Sequence, residues 1–177
     1  MKKLLLSLLT VASLTVATTQ AQTVALKANP LAFFGGTDLI SGEVKIGENS
    51  TAIAGLGVAG YKIAGSKYSS VGGELQYRYY FKEALHGWYA GAKVGYLSGK
   101  VKLNNFFSEE SNETNYGAFN VGAKAGYQWV FGSGFTLDLN LGAAYSSFKY
   151  DDNSGDFSTL KASGILPNIG FGLGFSF

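Results

Sequence analysis

The stretch Ile165-Leu166-Pro167-Asn168-Ile169-Gly170-Phe171-Gly172-Leu173-Gly174-Phe175-Ser176-Phe177 decides the fold. Its odd positions carry Ile165, Pro167, Ile169, Phe171, Leu173, Phe175 and Phe177, whereas Leu166, Asn168, Gly170, Gly172, Gly174 and Ser176 fall on even ones. Side chains of a strand alternate between two faces, so period-two patterning of this kind predicts a β-strand with one large apolar face and one small, polar face.

The same pattern recurs upstream. Phe135, Leu137, Leu139, Leu141, Ala143 and Tyr145 alternate with Thr136, Asp138, Asn140, Gly142 and Ser146. Phe119, Val121, Ala123, Ala125, Tyr127, Trp129 and Phe131 alternate with Asn120, Gly122, Lys124, Gly126 and Gln128. Trp88, Ala90, Ala92, Val94 and Tyr96 share one face, as do Leu75, Tyr77, Tyr79 and Phe81. Weaker segments cover Val24 to Asn29, Ile40 to Ile46, and Ala52 to Ile63. The last loses phase near Gly60, which predicts a bulge. Eight strands result.

The connectors alternate in length. Residues 47–50, 82–87 and 132–134 read as short turns; residues 98–114 and 150–164 read as long polar loops, with residues 34–38 and 64–70 as smaller ones on the same side. An up-and-down barrel places alternate connectors at opposite ends, and outer-membrane barrels pair short periplasmic turns with longer outside loops.

Residues 1–21 stand apart. Lys2 and Lys3 precede an apolar run from Leu4 to Val16, and small residues Thr19 and Ala21 flank Gln20. This predicts a cleavable secretory signal peptide over 1–21, cut between Ala21 and Gln22, with the barrel over 22–177. The run is shorter than the ~20 residues of a spanning helix. Without Lys2 and Lys3 the chain has about as many acidic as basic side chains, which argues against nucleic acid as a partner. No cysteine is present, so disulfides and thiolate metal sites are excluded. The 25 glycines, 11 Tyr and 13 Phe, against 15% charged residues, suit an all-β chain.

Which face meets the surroundings is the next question, because a soluble lipocalin-like barrel also alternates, with its apolar face inward. Lys27, Glu43, Lys45, Glu74, Arg78, Lys93, Lys124 and Asp138 all share the glycine face. A lipid-facing Lys or Arg at mid-membrane costs about 2–4 kcal/mol, so five of them would exceed the usual net stability of a domain. These residues are therefore predicted to form a polar, ion-paired network in the lumen.

Aromatics gather at both strand ends. Phe81, Trp88, Trp129, Phe131, Phe135, Phe175 and Phe177 lie by the short turns; Tyr61, Tyr96, Tyr116, Phe119, Tyr145, Phe148 and Tyr150 lie by the long loops. The roughly ten residues from Phe119 to Trp129 span about 23–25 Å along a membrane normal, close to the expected apolar band. Phe81, Trp88, Tyr96, Phe119, Trp129, Phe131, Phe135 and Tyr145 are the predicted membrane-interface aromatics. Pro30 and Pro167 are expected at the outer rim of the first and last strands, where a missing donor is tolerated.

These features resemble the small eight-stranded outer-membrane barrels of the OmpX and OmpA-transmembrane-domain kind. The likeness is carried by the leader, by Gly87-Trp88-Tyr89-Ala90-Gly91-Ala92-Lys93-Val94-Gly95-Tyr96, and by the ending Gly170 to Phe177. It looks closest to the outer membrane protein beta-barrel domain proteins common in Bacteroidetes. The resemblance implies a cell outer-membrane location, outer-membrane lipid and lipopolysaccharide around the barrel, and recognition of Phe177 by the barrel-assembly machinery. It is specific for architecture, and such barrels host many roles.

Chemistry is sparse. His86, the single histidine, falls in a short turn on the side away from where an outer-leaflet acyl-transfer site would stand. Glu109, Glu110 and Glu113, or Asp151, Asp152 and Asp156, lack an ordered Ca²⁺-loop spacing. The Gly-x-Gly spacings have no following helix, so they do not make a phosphate loop. No enzyme, cofactor or metal is expected. The expected role is structural or surface-interacting, through loops that reach an extracellular ligand. A small non-specific pore and a soluble periplasmic lipocalin-like barrel are the alternatives.

Overall fold

The computed structural model describes residues 22–34, 36–63, 66–104, 111–152 and 160–177. The signal-peptide reading of residues 1–21, including Ala21, lies outside them, as do Glu109, Glu110 and Asp156.

Eight antiparallel strands follow one another around a closed barrel. They are β1 (Val24–Ala28), β2 (Ile40–Lys45), β3 (Ser50–Ile63), β4 (Ser66–Tyr80), β5 (Gly87–Asn104), β6 (Ser111–Val130), β7 (Phe135–Asp152) and β8 (Leu160–Ser176). Closure is made by β1 against β8, from Ala25↔Ser176 to Ala28↔Leu173. The chain end is tied in as well: Phe177 N donates to Val24 O (2.8 Å) and Thr23 N to Phe177 O (2.7 Å).

The wall is uneven. β1 and β2 hold 5 and 6 residues, against 14 to 20 in the others. On one side β5 and β6 pair from Gly87↔Gln128 to Asn104↔Ser111. On the other, β2 and β3 pair only from Lys45↔Thr51 to Ile40↔Leu56. The upper parts of β3 and β8 therefore have no strand between them, and a 3-10 helix over Pro30–Phe34 lies against both. Pro167 falls in this stretch of β8, where one edge has no strand partner and a missing N–H breaks no ladder.

Four expectations are corrected. Pairing of β3 with β4 runs unbroken from Ser50↔Tyr79 to Ile63↔Ser66, so Gly60 marks no bulge. The pattern fades there because Gly60 and Lys62 continue the outward face beyond its apolar part. The long loops are largely strand: β5 reaches Asn104, β6 begins at Ser111, β7 reaches Asp152, and β4 and β8 begin at Ser66 and Leu160. Backbone pairing continues where the outward face turns from large apolar residues to small and charged ones. Pro30 does not extend β1; it opens the 3-10 helix, a first-turn position where its missing donor is harmless. The following residues do not form an outside loop, because Thr37 is buried and donates to Glu74 inside the barrel.

The short-turn end is sealed from within. Leu85 adopts a left-handed backbone (φ 74°) and buries its side chain, while its carbonyl accepts from Gln128 Nε2 at 2.7 Å. Such a conformation costs a non-glycine residue about 1–3 kcal/mol and persists because the surroundings fix it. In the β7 turn, Gly134 has φ 86°, and its carbonyl accepts from Ser176 N at 2.8 Å. A Cβ at Gly134 would stand 2.8 Å from Ser176 O, so both conformation and space favour glycine.

Candidate functional site in the barrel interior

The interior is where this sequence departs from an ordinary core. Lys27, Glu43, Glu74, Arg78, Lys124 and Asp138 are all buried. Even positions of β4, β6 and β7 and odd positions of β1, β2 and β5 point inward, so alternation alone brings these charges to one side of the sheet.

They meet in two groups. Nearer the short turns, Lys27 pairs with Glu43 and with Asp138 (2.9 Å). Arg78 Nη1 lies 2.5 Å from Asp138 Oδ2 and 3.6 Å from Glu43 Oε2. Both carboxylates take further donors: Thr51 Oγ1 (2.6 Å) and Tyr80 OH (2.8 Å) on Glu43, Tyr89 OH (2.7 Å) on Asp138. Gln128 Oε1 accepts from Lys27 at 2.9 Å. The Arg78 guanidinium carbon stands 4.1 Å from the centre of the Tyr89 ring. Two cations thus face two carboxylates with their remaining lone pairs occupied, the condition under which buried ion pairs persist. Gly126 makes the room: a Cβ there would come within 2.7 Å of Tyr89 OH.

Nearer the long hairpins, Glu74 accepts from Lys93 (3.2 Å), Thr37 and Gln76. Asn29 Nδ2 donates to Asp38 Oδ1 at 3.1 Å. Lys124 has Glu74 and Asp38 as its nearby carboxylates, and neither is within ion-pair distance among the described residues. Lys27, Arg78, Lys93 and Lys124 therefore balance Glu43, Asp138, Glu74 and Asp38. The sequence reading missed Asp38, because an irregular connector has no alternation to reveal which way it faces. Lys45, at the end of β2, is half-buried at the rim.

Between the groups a void of about 10 Å³ touches Asp38, Asn140 and Asp138, room for one water. Above them a cavity of about 180 Å³ is lined by Thr37, Lys93, Asn120, Ser146, Phe148 and Leu166. Asn120 Oδ1 and Asn140 Oδ1 are buried without a partner among the described residues.

Aromatics named from the sequence separate by face. Phe81, Trp88, Tyr96, Phe119, Phe131 and Tyr145 are exposed on the outward surface, with Trp129 and Phe135 half-buried on it. Tyr61, Tyr116 and Phe148 instead face the interior. Tyr61 stacks on Tyr68 at 5.3 Å, Tyr116 lies over the buried Gly99, and Phe148 lines the cavity. His86 sits in the short turn with its ring edge-on to Tyr127. No group of three or more His, Cys, Asp or Glu placed to hold a metal occurs among the described residues.

An eight-stranded antiparallel barrel with a charge-balanced, hydrogen-bonded interior and an apolar exterior is the class these features define. The chain belongs to the family described as "Protein of unknown function (DUF3575)", whose model matches residues 4–162. No curated protein and no solved structure matches the chain.

Proposed function

We propose that this chain is an integral outer-membrane barrel of the OmpX and OmpA-transmembrane-domain kind, with a structural or surface-interaction role carried by its long hairpins. The observation that carries this reading is the inversion of polarity across the wall. Leu56, Leu141 and Ile165 are 72%, 62% and 76% exposed, whereas Glu43 and Arg78 are 0% and 3% exposed. Outward apolar residues continue around every strand, through Leu26, Ile40, Leu75, Val94, Val121 and Ile169. Soluble proteins rarely expose contiguous apolar patches beyond a few hundred Å². A lipocalin-like soluble barrel would carry the reverse arrangement, with its apolar face inward.

The leader-like residues 1–21 support export, and outer-membrane lipid and lipopolysaccharide are the surroundings this exterior suits. Both chain ends of the barrel lie at the short-turn end, which the reading assigns to the periplasm. Tyr80, Tyr89, Gln128 and Leu85 fill the section near that end, which supports a plugged barrel over a pore. The single His86 in a short turn supports a role without catalysis.

Electrophoresis tests the reading. The folded chain should resist SDS unheated and change mobility on boiling, and it should require detergent or lipid to stay dispersed. Identical mobility before and after heating, with solubility in plain buffer, would refute it.

A further inference from the structure

The barrel interior is filled near the short turns and unfilled further up. Tyr80, Tyr89, Gln128 and Leu85 pack the lower section. Above it, the register sets Lys93, Gly122, Ala144 and Leu166 in one inward row across β5 to β8. The next row holds Gly95, Asn120, Ser146 and Gly164. Lys93, Leu166, Asn120 and Ser146 of these rows line the cavity of about 180 Å³. Leu166 has inward parity yet is 47% exposed, so little of the protein covers it. A Cβ added at Gly164 would meet nothing within 4 Å. The cavity is the space that small residues leave beside β8.

Its wall is of two kinds. Leu97, Phe148, Leu166 and Pro167 are apolar, whereas Thr37, Lys93, Asn120 and Ser146 carry polar groups. A space of this size holds about six waters at ~30 Å³ each, and each needs two to four polar partners. The apolar wall offers none, so water there is readily displaced by hydrocarbon. On the scale where about 150 Å³ takes a benzene, the cavity takes roughly six to eight non-hydrogen atoms.

The polar wall selects the head of the guest. Thr37 donates its hydroxyl to Glu74. Lys93 also donates to Glu74, at 3.2 Å, but its ammonium carries further protons. Asn120 Oδ1 has no donor among the described residues. The Cβ–Cγ torsion of asparagine is broad, so the amide can turn that oxygen toward a donor in the cavity. Asn120 lies two positions from Gly122, the register partner of Lys93. Such diagonal neighbours are about 7–8 Å apart, within reach of one another's long side chains. A hydroxyl placed between them accepts from Lys93 and donates to Asn120. The guest carries no charge, because Lys27, Arg78, Lys93 and Lys124 already balance Glu43, Asp138, Glu74 and Asp38. A carboxylate or an ammonium would add a buried charge without a counterion.

We propose that this cavity binds a small uncharged alcohol, its hydroxyl between Lys93 and Asn120 and its hydrocarbon chain along Leu166 and Phe148. The site adds ligand binding to the structural role. It rests on the barrel interior alone, whatever surrounds the outer wall.

The test uses the chain refolded into lipid nanodiscs with labelled leucine and isoleucine methyl groups, and 1-hexanol as the probe. Leu166 faces inward, while Ile165 and Ile169 on the same strand face outward. Nuclear Overhauser contacts to these methyl groups therefore separate probe in the cavity from probe dissolved in lipid. Hexanol should contact Leu166 and shift its signals saturably, and hexanoate and hexylammonium should bind roughly tenfold or more weakly. Asn120→Leu keeps the size and removes the acceptor, so it should weaken hexanol about three- to tenfold. Gly164→Leu and Ser146→Leu each fill the cavity and should abolish the Leu166 contacts. The amide spectrum of each variant reports whether its barrel has formed. Contacts confined to Ile165 and Ile169, or Leu166 contacts that persist in both filled variants, would overturn the proposal. So would hexanoate binding as well as hexanol, or Asn120→Leu binding as the parent does. A chain that stays dispersed in plain buffer sinks the membrane reading, and the same titration there still tests the cavity.

Discussion

Lys27 Nζ lies 2.9 Å from Asp138 Oδ2, although 111 positions of chain separate the two residues. The contact reaches from β1 to β7 inside the barrel, bypassing β8, which lies between them in the wall. Neither charge reaches solvent appreciably, so each depends on the other and on Glu43 and Arg78. The low-walled side of the barrel is thereby tied to the high-walled side through charge rather than through apolar packing.

Lys27→Met should destabilise the refolded barrel by about 3–5 kcal/mol, because it leaves Glu43 and Asp138 short of a cation. Asp138→Leu should cost a similar amount by stranding Lys27 and Arg78. The double variant should cost less than the two single effects added, since one removed charge answers the other. Urea unfolding of the protein in lipid vesicles measures all three. Strict additivity would mean that the 2.9 Å contact carries no coupling.

The eight strands and their inward faces are legible in the sequence wherever one face carries large side chains and the other small or charged ones, as in β7 and β8. Legibility fails where the outward face stops being apolar. Past Val58 and Tyr96 it carries Gly60, Lys62, Ser98 and Lys100 while Tyr61, Leu97 and Val101 take the inward positions, so the alternation reverses and the extended hairpins read as loops although their ladders continue. Size and position group Tyr61, Tyr116 and Phe148 with the aromatics by the long loops, yet their parity puts them with Thr51, Lys124 and Asp138 of their own strands on the interior side. Shared parity shows which charges face inward. It does not show which of them meet, because that depends on how strands far apart in sequence stand across the lumen. Asp38 and Thr37 lay beyond reach for a further reason: they enter the interior on an irregular connector.

Phe177 separates folding from assembly. Its backbone N–H and C=O bind Val24 and Thr23, while its side chain stays about half exposed. Phe177→Ala keeps the backbone bonds, so it should refold into vesicles with the stability of the parent, within about 0.5 kcal/mol. In cells the same variant should reach the outer membrane in lower yield, if the terminal aromatic is read by the assembly machinery as the resemblance implies. Deleting the residue should impair both, because closure of β1 on β8 loses its last bonds. Unchanged cellular yield for Phe177→Ala would remove the assembly role.

Conductance should be absent in the parent. Tyr80 and Tyr89 are fully buried with ring centres 5.2 Å apart, and Leu85 closes the end beside them. An eight-stranded barrel is just wide enough for its side chains to fill. Planar-bilayer recordings of the purified protein should show no steady steps, whereas Tyr80→Ala combined with Leu85→Ala should admit ions. Stable, sized steps from the parent would favour the pore.

Leu141 offers the sharpest separation of a membrane barrel from a soluble one. It sits midway along β7, faces outward and touches little of the protein. In water, Leu141→Arg would replace an exposed apolar side chain with an exposed charge, and surface changes of that kind usually stay within about 0.5 kcal/mol. In hydrocarbon the same change near the bilayer midplane costs about 2–4 kcal/mol. Ser98→Arg, also exposed but beyond the apolar band, serves as the matched control and should cost close to nothing. Unfolding the two variants in vesicles should therefore give a clear gap between them. Two equally stable variants would mean that the face carrying Leu141 meets water, and the outward apolar band would then need a protein partner instead of a bilayer.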